Sequence, residues 1–290
     1  MWTNIFTSNF SAKRAQASSR EQIAHAKRLI AEADKIVIGA GAGLSTAAGL
    51  RYDGPEFDRE FADFRRRYGI TDLYSSSFYP FATEEEHWAC WARHIDFIRY
   101  RRDAAPLYRQ LFEAVKDKDY FVVTTNVDGQ FRKAGFSERR LFEVQGDYAY
   151  LQCSRRCHDT LYYNKEQVQQ MVAQTHDCRI PSELVPRCPR CGEPMAVHVR
   201  TDEFFVEDAQ WEAAHDRYVD FVGSIGRKKA VLLELGVGFN TPSIIRFPFE
   251  RMAQLRPNAT LVRVNKESVG CVLDVPSPLL IEADASALFR

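Results

Sequence analysis

The clearest pattern along the chain is a set of short, largely apolar runs with glycine, asparagine or aspartate close behind each. Ile36 to Ile38, Tyr120 to Thr125, Ala230 to Leu235, Leu261 to Val264 and Leu279 to Ile281 are such runs. An apolar run without polar alternation marks a strand covered on both faces, as in a parallel sheet. Between the runs, apolar positions fall at helical spacing. Ile23, Ala26, Leu29, Ile30 and Ala33 predict a helix, with Ser18 and Glu21 as its capping box. Residues 1–17 are polar and irregular and read as a tail or packing arm. The stretch 51–110 is crowded with arginine and aromatics, among them Phe57, Phe61, Phe64, Trp88, Trp91 and Phe97. It reads as helices and loops, its rings serving either as core or as a cover. Strands alternating with helices predict an α/β fold, a doubly wound parallel (Rossmann-like) sheet that binds ligands at the carboxyl ends of its strands.

The charge balance narrows the function. The 290 residues carry 39 basic and 39 acidic side chains, a net charge of zero, which argues against a nucleic-acid or other polyanion binder. No apolar run is long enough to cross a bilayer. MWTNIFTSNF has no basic segment ahead of an apolar one, so a secretory signal is not expected and the predicted location is cytoplasmic. Seven cysteines, an odd number, disfavour a disulfide framework.

Four of those cysteines form two tight pairs, Cys153 with Cys157 and Cys188 with Cys191. A short-spaced pair puts two thiolates on one knuckle, and two knuckles close a tetrahedron around Zn2+. Four cysteine ligands leave no open position, so such a metal is structural. His158 or Cys178 as a substitute ligand, or free thiols, are the competing readings. Cys90, Cys178 and Cys271 read as small buried hydrophobes. The other candidate is the glycine cluster Gly39, Gly41 and Gly43 behind the first strand. A strand, a glycine-rich turn and a helix start bring backbone N–H groups to a phosphate. A tight turn without a ligand is the competing reading. No lysine follows in the position a P-loop requires.

Taken together and in order, the motifs resemble those of the sirtuins. GAGLSTAAGL (41–50) is similar to their nucleotide loop and TTNVDG (124–129) to their TQNIDG segment. EVQGDYAYLQCSRRC (143–157) is similar to the E-x-HG segment that runs into the first cysteine pair. CPRCG (188–192), GVGFNTPS (236–243) and RVNKE (263–267) follow. The resemblance covers about residues 20–290. It implies an NAD-binding domain from 20–150 and 200–290, a zinc module at 151–199 and an arm at 1–19. It implies NAD as co-substrate, held by Ala40, Gly41, Ala42, Gly43, Ser45, Thr125, Asn126, Asp128, Gln145, Gly236, Val237, Gly238, Asn265, Lys266, Asp284 and Ala285. Asn126, Asp128 and Gln145 are the implied catalytic residues, and Cys153, Cys157, Cys188 and Cys191 the zinc ligands.

Several positions depart from the deacylases of that family. Gln145 stands where they carry a histidine base, and an amide cannot take up a proton at physiological pH. Leu50 is followed by Arg51, Tyr52, Asp53 and Gly54 rather than by IPDFR. Asp202 to Glu207 replaces the apolar strand that holds an acyl-peptide, and Thr125 replaces a glutamine. These departures resemble the macrodomain-linked microbial sirtuins. That resemblance implies protein ADP-ribosyltransfer, a lipoyl-carrier protein as acceptor and a macrodomain hydrolase as the opposing enzyme. The alternatives are a lysine deacylase, an NAD hydrolase, or a module sensing NAD or ADP-ribose. For deacylation, Glu143 and Asp147 would share the face of Gln145 if the backbone there were extended.

Overall fold

The computed structural model describes residues 19–267 and 269–290; the arm expected at 1–17 and the Ser18 cap lie outside them. Helix α1 (19–32) buries Ala26 and Ile30. Strand β1 (Lys35–Ala40) is buried throughout and passes through Gly41 into α2 (Ala42–Ala47). The aromatic stretch forms α3 (Pro55–Glu60), α4 (Ala62–Tyr68), α5 (Leu73–Ser77) and α6 (Glu84–Ile95). Thr83 caps α6 by accepting from Glu86 N–H, and a π-helical turn, Asp96–Tyr100, extends it. Then come α7 (Pro106–Val115), β2 (Asp119–Thr124), α8 (Gln130–Lys133) and β3 (Leu141–Glu143). The cysteine segment holds β4 (Gly146–Cys153), β5 (Tyr162–Tyr163), α9 (Lys165–Ala173) and β6 (Met195–Val199). The chain ends with α10 (Ala209–Gly223), β7 (Ala230–Leu235), α11 (Arg246–Leu255), β8 (Ala259–Asn265) and β9 (Leu279–Glu282).

The main sheet has six strands in the order β3-β2-β1-β7-β8-β9, and every neighbouring pair is parallel. The chain steps outward from β1 to β3 on one side, then returns to β7 beside β1 and steps outward on the other. The strand order therefore reverses between β1 and β7, and the carboxyl ends of those two strands form the switch-point crevice of a doubly wound sheet. Two apolar cores pack on its faces, one under α1 and α7, the other under α10 and α11.

A second sheet, antiparallel in the order β5-β4-β6, carries the cysteine pairs. Its core also draws on the aromatic stretch: Phe57, Phe61, Phe64 and Trp88 pack in one cluster with Leu151, Val168, Met171 and Met195. Most of those rings are therefore core, while Phe78 is exposed. No helix among the described residues is long and apolar enough to cross a membrane.

Candidate functional site

At the switch point, backbone packs on backbone. A Cβ on Gly41 would lie 2.8 Å from the carbonyl oxygen of Gly236, and one on Gly43 would lie 2.7 Å from the Gly236 Cα. Gly236 itself has φ +61° and a Cβ there would overlap the amide nitrogen of Leu44. The amide of Gly43 donates to the Gly236 carbonyl at 2.9 Å, so the β1 and β7 turns lock together. This cradle has the shape that lets peptide groups approach a pyrophosphate closely. Around it, every parallel strand delivers predicted residues at its carboxyl end. Thr125, Asn126 and Asp128 follow β2, and Gln145 follows β3. Val237 and Gly238 follow β7, Lys266 follows the last residue of β8, Asn265, and Asp284 and Ala285 follow β9. Asn265 donates to the Val237 carbonyl at 3.0 Å, and Lys266 pairs with Asp284 at 2.9 Å, tying the three later turns together. A Cβ on Gly238 would meet nothing within 4 Å, so that position is open space.

Below the cradle lies a buried polar network. Ser45 donates its hydroxyl hydrogen to Asp128 Oδ2 at 2.6 Å. Having one hydrogen, it must accept from Tyr108, whose hydroxyl is 2.9 Å away. Asn126 donates from Nδ2 to the Gly41 carbonyl at 3.1 Å and to the Tyr108 oxygen at 3.2 Å. Its carboxamide oxygen is thereby left as the acceptor available to a ligand. Burial raises the pKa of Asp128, although Ser45 and the Gln130 N–H oppose the shift by bonding to its oxygens. The structure thus puts the Ser45 side chain on Asp128. Tyr108 is a site residue that the sequence pattern hides, because it sits in the buried apolar stripe of α7 with Leu107 and Leu111. A second pair closes the other side. Tyr52 and Tyr148 meet hydroxyl to hydroxyl at 3.1 Å, and burial pushes both phenols upward, with the nearby Asp128 charge adding to the shift.

Gln145 occupies the turn between the two sheets. Its carbonyl accepts from the Arg200 amide at 3.1 Å, and its side chain is half-buried. Gly146 has φ +95° and a Cβ there would overlap the His198 carbonyl oxygen, so only glycine permits this crossing of β4 over β6. The backbone is therefore not extended from 143 to 147, and the shared face expected for Glu143, Gln145 and Asp147 does not form. Each carboxylate has its own arginine instead. Arg132 holds Glu143 at 2.7 Å, and Arg99 holds Asp147 with Nε at 2.7 Å and Nη2 at 3.0 Å.

The four cysteines converge as predicted. All four sulfurs lie within 4.8 Å of one another, with Cys153 and Cys191 at 3.7 Å and Cys157 and Cys188 at 3.6 Å. A tetrahedron of Zn–S bonds near 2.3 Å separates its sulfurs by about 3.8 Å, so the cluster fits a structural zinc site. Cys178 lies in the aromatic core and is not a ligand candidate. His158 bonds Tyr162 at 2.9 Å and stands 3.8 Å from the Cys188 sulfur, beside the cluster.

Behind β7 and β8 lies a charge network that the sequence reading missed. Arg263 donates to Glu234 and to Glu250, both at 2.8 Å, and all three side chains are inaccessible to solvent. Glu250 also accepts from the amides of Val272 and Leu273, and Arg246 donates to the Val237 carbonyl. The network fixes the turns that carry Val237 and residues 269–273. Its signal was a charge inside an otherwise apolar strand run.

Comparison with known proteins bears on this geometry. The family model described as Sir2 family matches residues 41–224. A protein named protein ADP-ribosyltransferase from Staphylococcus aureus is 37% identical over 240 residues, covering 82% of this chain and 76% of that one. A protein from Fusarium oxysporum f. sp. cubense, named probable bifunctional ADP-ribose hydrolase/ADP-ribosyltransferase, is 33% identical over 78% of this chain; the match spans 39% of its own length. Among solved structures, Sir2Tm bound to a propionylated peptide shares the fold, with a TM-score of 0.56 at 19% identity over 91% of this chain and 93% of that one.

Proposed function

The chain belongs to the Sir2 family, and from that premise we propose that it transfers ADP-ribose from NAD to an acceptor protein. NAD, when bound, supplies an N-glycosidic bond whose cleavage releases nicotinamide with the bonding electrons and leaves an electrophilic ribose carbon. The residues described above bind and orient that reaction. The glycine cradle takes the pyrophosphate, and Asp128 with Asn126 lies below it for the nicotinamide end. The observation that carries the reading is the state of the Gln145 turn. It offers a carboxamide where deacylation needs a proton acceptor, and both neighbouring carboxylates are held by arginines. Transfer to a nucleophile on the acceptor asks less of a base, because an oxocarbenium-like centre is already strongly electrophilic. Positioning and charge stabilisation then supply most of the rate.

The resemblance to macrodomain-linked sirtuins supports a lipoyl-carrier protein as the acceptor and a macrodomain hydrolase as the opposing activity. The name of the Fusarium relative, which joins an ADP-ribose hydrolase to a transferase, supports the second of these. We assign the nucleotide work to residues 20–150 and 200–290 and a structural role to 151–199. One observation favours deacylation as a second reading: burial and the charge of Asp147 push Glu143 up to about 7, the range of a working base. The bond to Arg132 argues against its use. Mass spectrometry after incubation with NAD separates the readings. A modified acceptor together with free nicotinamide supports transfer, whereas O-acyl-ADP-ribose from an acyl-lysine peptide supports deacylation.

A further inference from the structure

Behind the Gln145 turn, away from the glycine cradle in sequence and on other elements, lies a cavity of about 370 Å³. Glu143, Gly146 and Asp147 form one side and Trp211, Ala214 and Arg217 of α10 the other. His198 and Tyr150 also line it. That volume equals roughly a dozen waters, more than a bare ion needs and enough for the end of an extended side chain with some hydration.

The chemistry of the lining selects the occupant. His198 Nε2 lies 2.9 Å from the Val206 carbonyl, and a carbonyl only accepts, so Nε2 carries the hydrogen. Nδ1 is therefore an acceptor. It is buried without a partner beside Gly146, in a ring that is 4% exposed. Such an orphan is costly and is satisfied only by a donor. The indole N–H of Trp211 is spent on the Val144 carbonyl at 3.1 Å and its ring already meets His215 and Arg200, so it walls the cavity without offering a donor, and Tyr150 adds a second ring. Aromatic faces attract cations. Acids outnumber bases around the space, Glu138, Glu143, Asp147, Asp159 and Asp208 against Arg132 and Arg217, although Arg99 pairs with Asp147, Arg156 with Asp159, and Asp208 caps α10 through the Trp211 amide. Arg132 is already committed to Glu138 and Glu143.

We infer that this cavity receives the ammonium or guanidinium end of a lysine or arginine side chain of the acceptor protein. The inference rests on the transferase reading only for the source of that side chain. Anchoring a basic residue beside Glu143 and Gly146 would hold the acceptor against the segment that presents Gln145. Glu143 faces Arg132 from α8, Asp147 from β4, Arg99 from the π-helical turn and Glu138 ahead of β3; His198 from β6, with Asp208 and Arg217 of the α10 segment, shares the cavity. A cation favours its ionised form, so binding should tighten as pH rises through about 7.

The test titrates the protein by NMR with Nα-acetyl-lysine amide and Nα-acetyl-arginine amide, with Nα-acetyl-norleucine amide as the uncharged control. Gln210→Trp fills the mouth of the cavity from an exposed helical position, and Glu143→Gln removes the buried charge. The expected result is saturable binding of a cationic derivative and none of norleucine amide. Gln210→Trp should weaken that binding about tenfold. It should also raise KM for the acceptor protein by a similar factor, with the thermal shift in NAD unchanged. Equal binding of norleucine amide, or no effect of Gln210→Trp on either readout, would overturn the proposal, even if Glu143→Gln fails to fold. Failure of the transferase reading shows separately, as nicotinamide release with no modified acceptor, and leaves the titration to decide the cavity.

Discussion

The switch point and the cysteine lobe are built on different physics. At the switch point, Gly41, Gly43 and Gly236 let two turns touch through their backbones, and the sheet on either side is buried and parallel. The geometry is complete in the polypeptide itself. The cysteine lobe has short strands, a core shared with helices far away in sequence, and sulfurs placed at the spacing of a tetrahedron. Its knuckles are tight turns closed by backbone bonds, Arg156 to Cys153 and Gly192 to Cys188, with Arg156 at φ 47° ahead of Cys157. One region excludes side chains so that two turns meet through their backbones; the other gathers four sulfurs at the spacing a zinc ion fits.

The largest effect should come from removing the metal. Structural zinc contributes roughly 10–16 kcal/mol in small metal-dependent peptides, and here the shared aromatic core should retain part of the fold. Chelation, or Cys188→Ser, should abolish the near-ultraviolet dichroism of the lobe while the NAD-dependent thermal shift partly survives. An unchanged melting temperature after complete chelation would break the contrast between the two regions. Next in size is Arg263→Ala, which leaves Glu234 and Glu250 buried without their partner. Breaking a buried pair from one side costs about 3–5 kcal/mol, to be read in urea unfolding. Gly236→Ala forces a Cβ into the Leu44 amide at positive φ and should cost about 2–4 kcal/mol. It should also lower NAD affinity, whereas Gly238→Ala, in open space, should be nearly neutral for stability.

The smallest effect is on acid stability and belongs to the lobe side. His94 is buried among Trp91, Tyr52 and Tyr148, and burial lowers its pKa from 6.5 to about 3. The unfolded chain therefore binds a proton that the folded chain refuses. Stability is intact above pH 6.5 and is lost as pH falls toward 3, by about 2 kcal/mol at pH 5. His94→Phe should flatten that part of the stability–pH curve; an unaltered curve would show that His94 is protonated in the folded protein.

The contrast also explains what could be read in the chain. Buried parallel strands announce themselves, because a run such as Ala230 to Leu235 admits few other readings, and a cysteine knuckle carries its geometry in its spacing. The three-residue strand β3 is too short to show a period, yet it sets the position of Gln145. Tyr108 looks like one more apolar helix position until its hydroxyl is found on Ser45 and Asn126. The face expected to join Glu143, Gln145 and Asp147 was undone by the positive φ of Gly146, which depends on β6 crossing from fifty residues downstream in the chain. Glu234 and Arg263 were visible as charges, but their pairing depends on strand register.

On the transferase reading, Gln145 serves transfer by positioning and leaves deacylation without a base. The most direct test of that reading is one product assay on the wild type, Gln145→Ala and Gln145→His. Each is given NAD with a candidate acceptor protein and, separately, with an acetyl-lysine peptide, and products are identified by mass spectrometry. The expected products are a modified acceptor from the wild type, transfer reduced about 100-fold in Gln145→Ala, and no efficient deacetylation from Gln145→His, because Tyr52 and the Asp202 to Glu207 segment also differ. Robust deacetylation by the wild type with no modified acceptor would contradict the transferase reading.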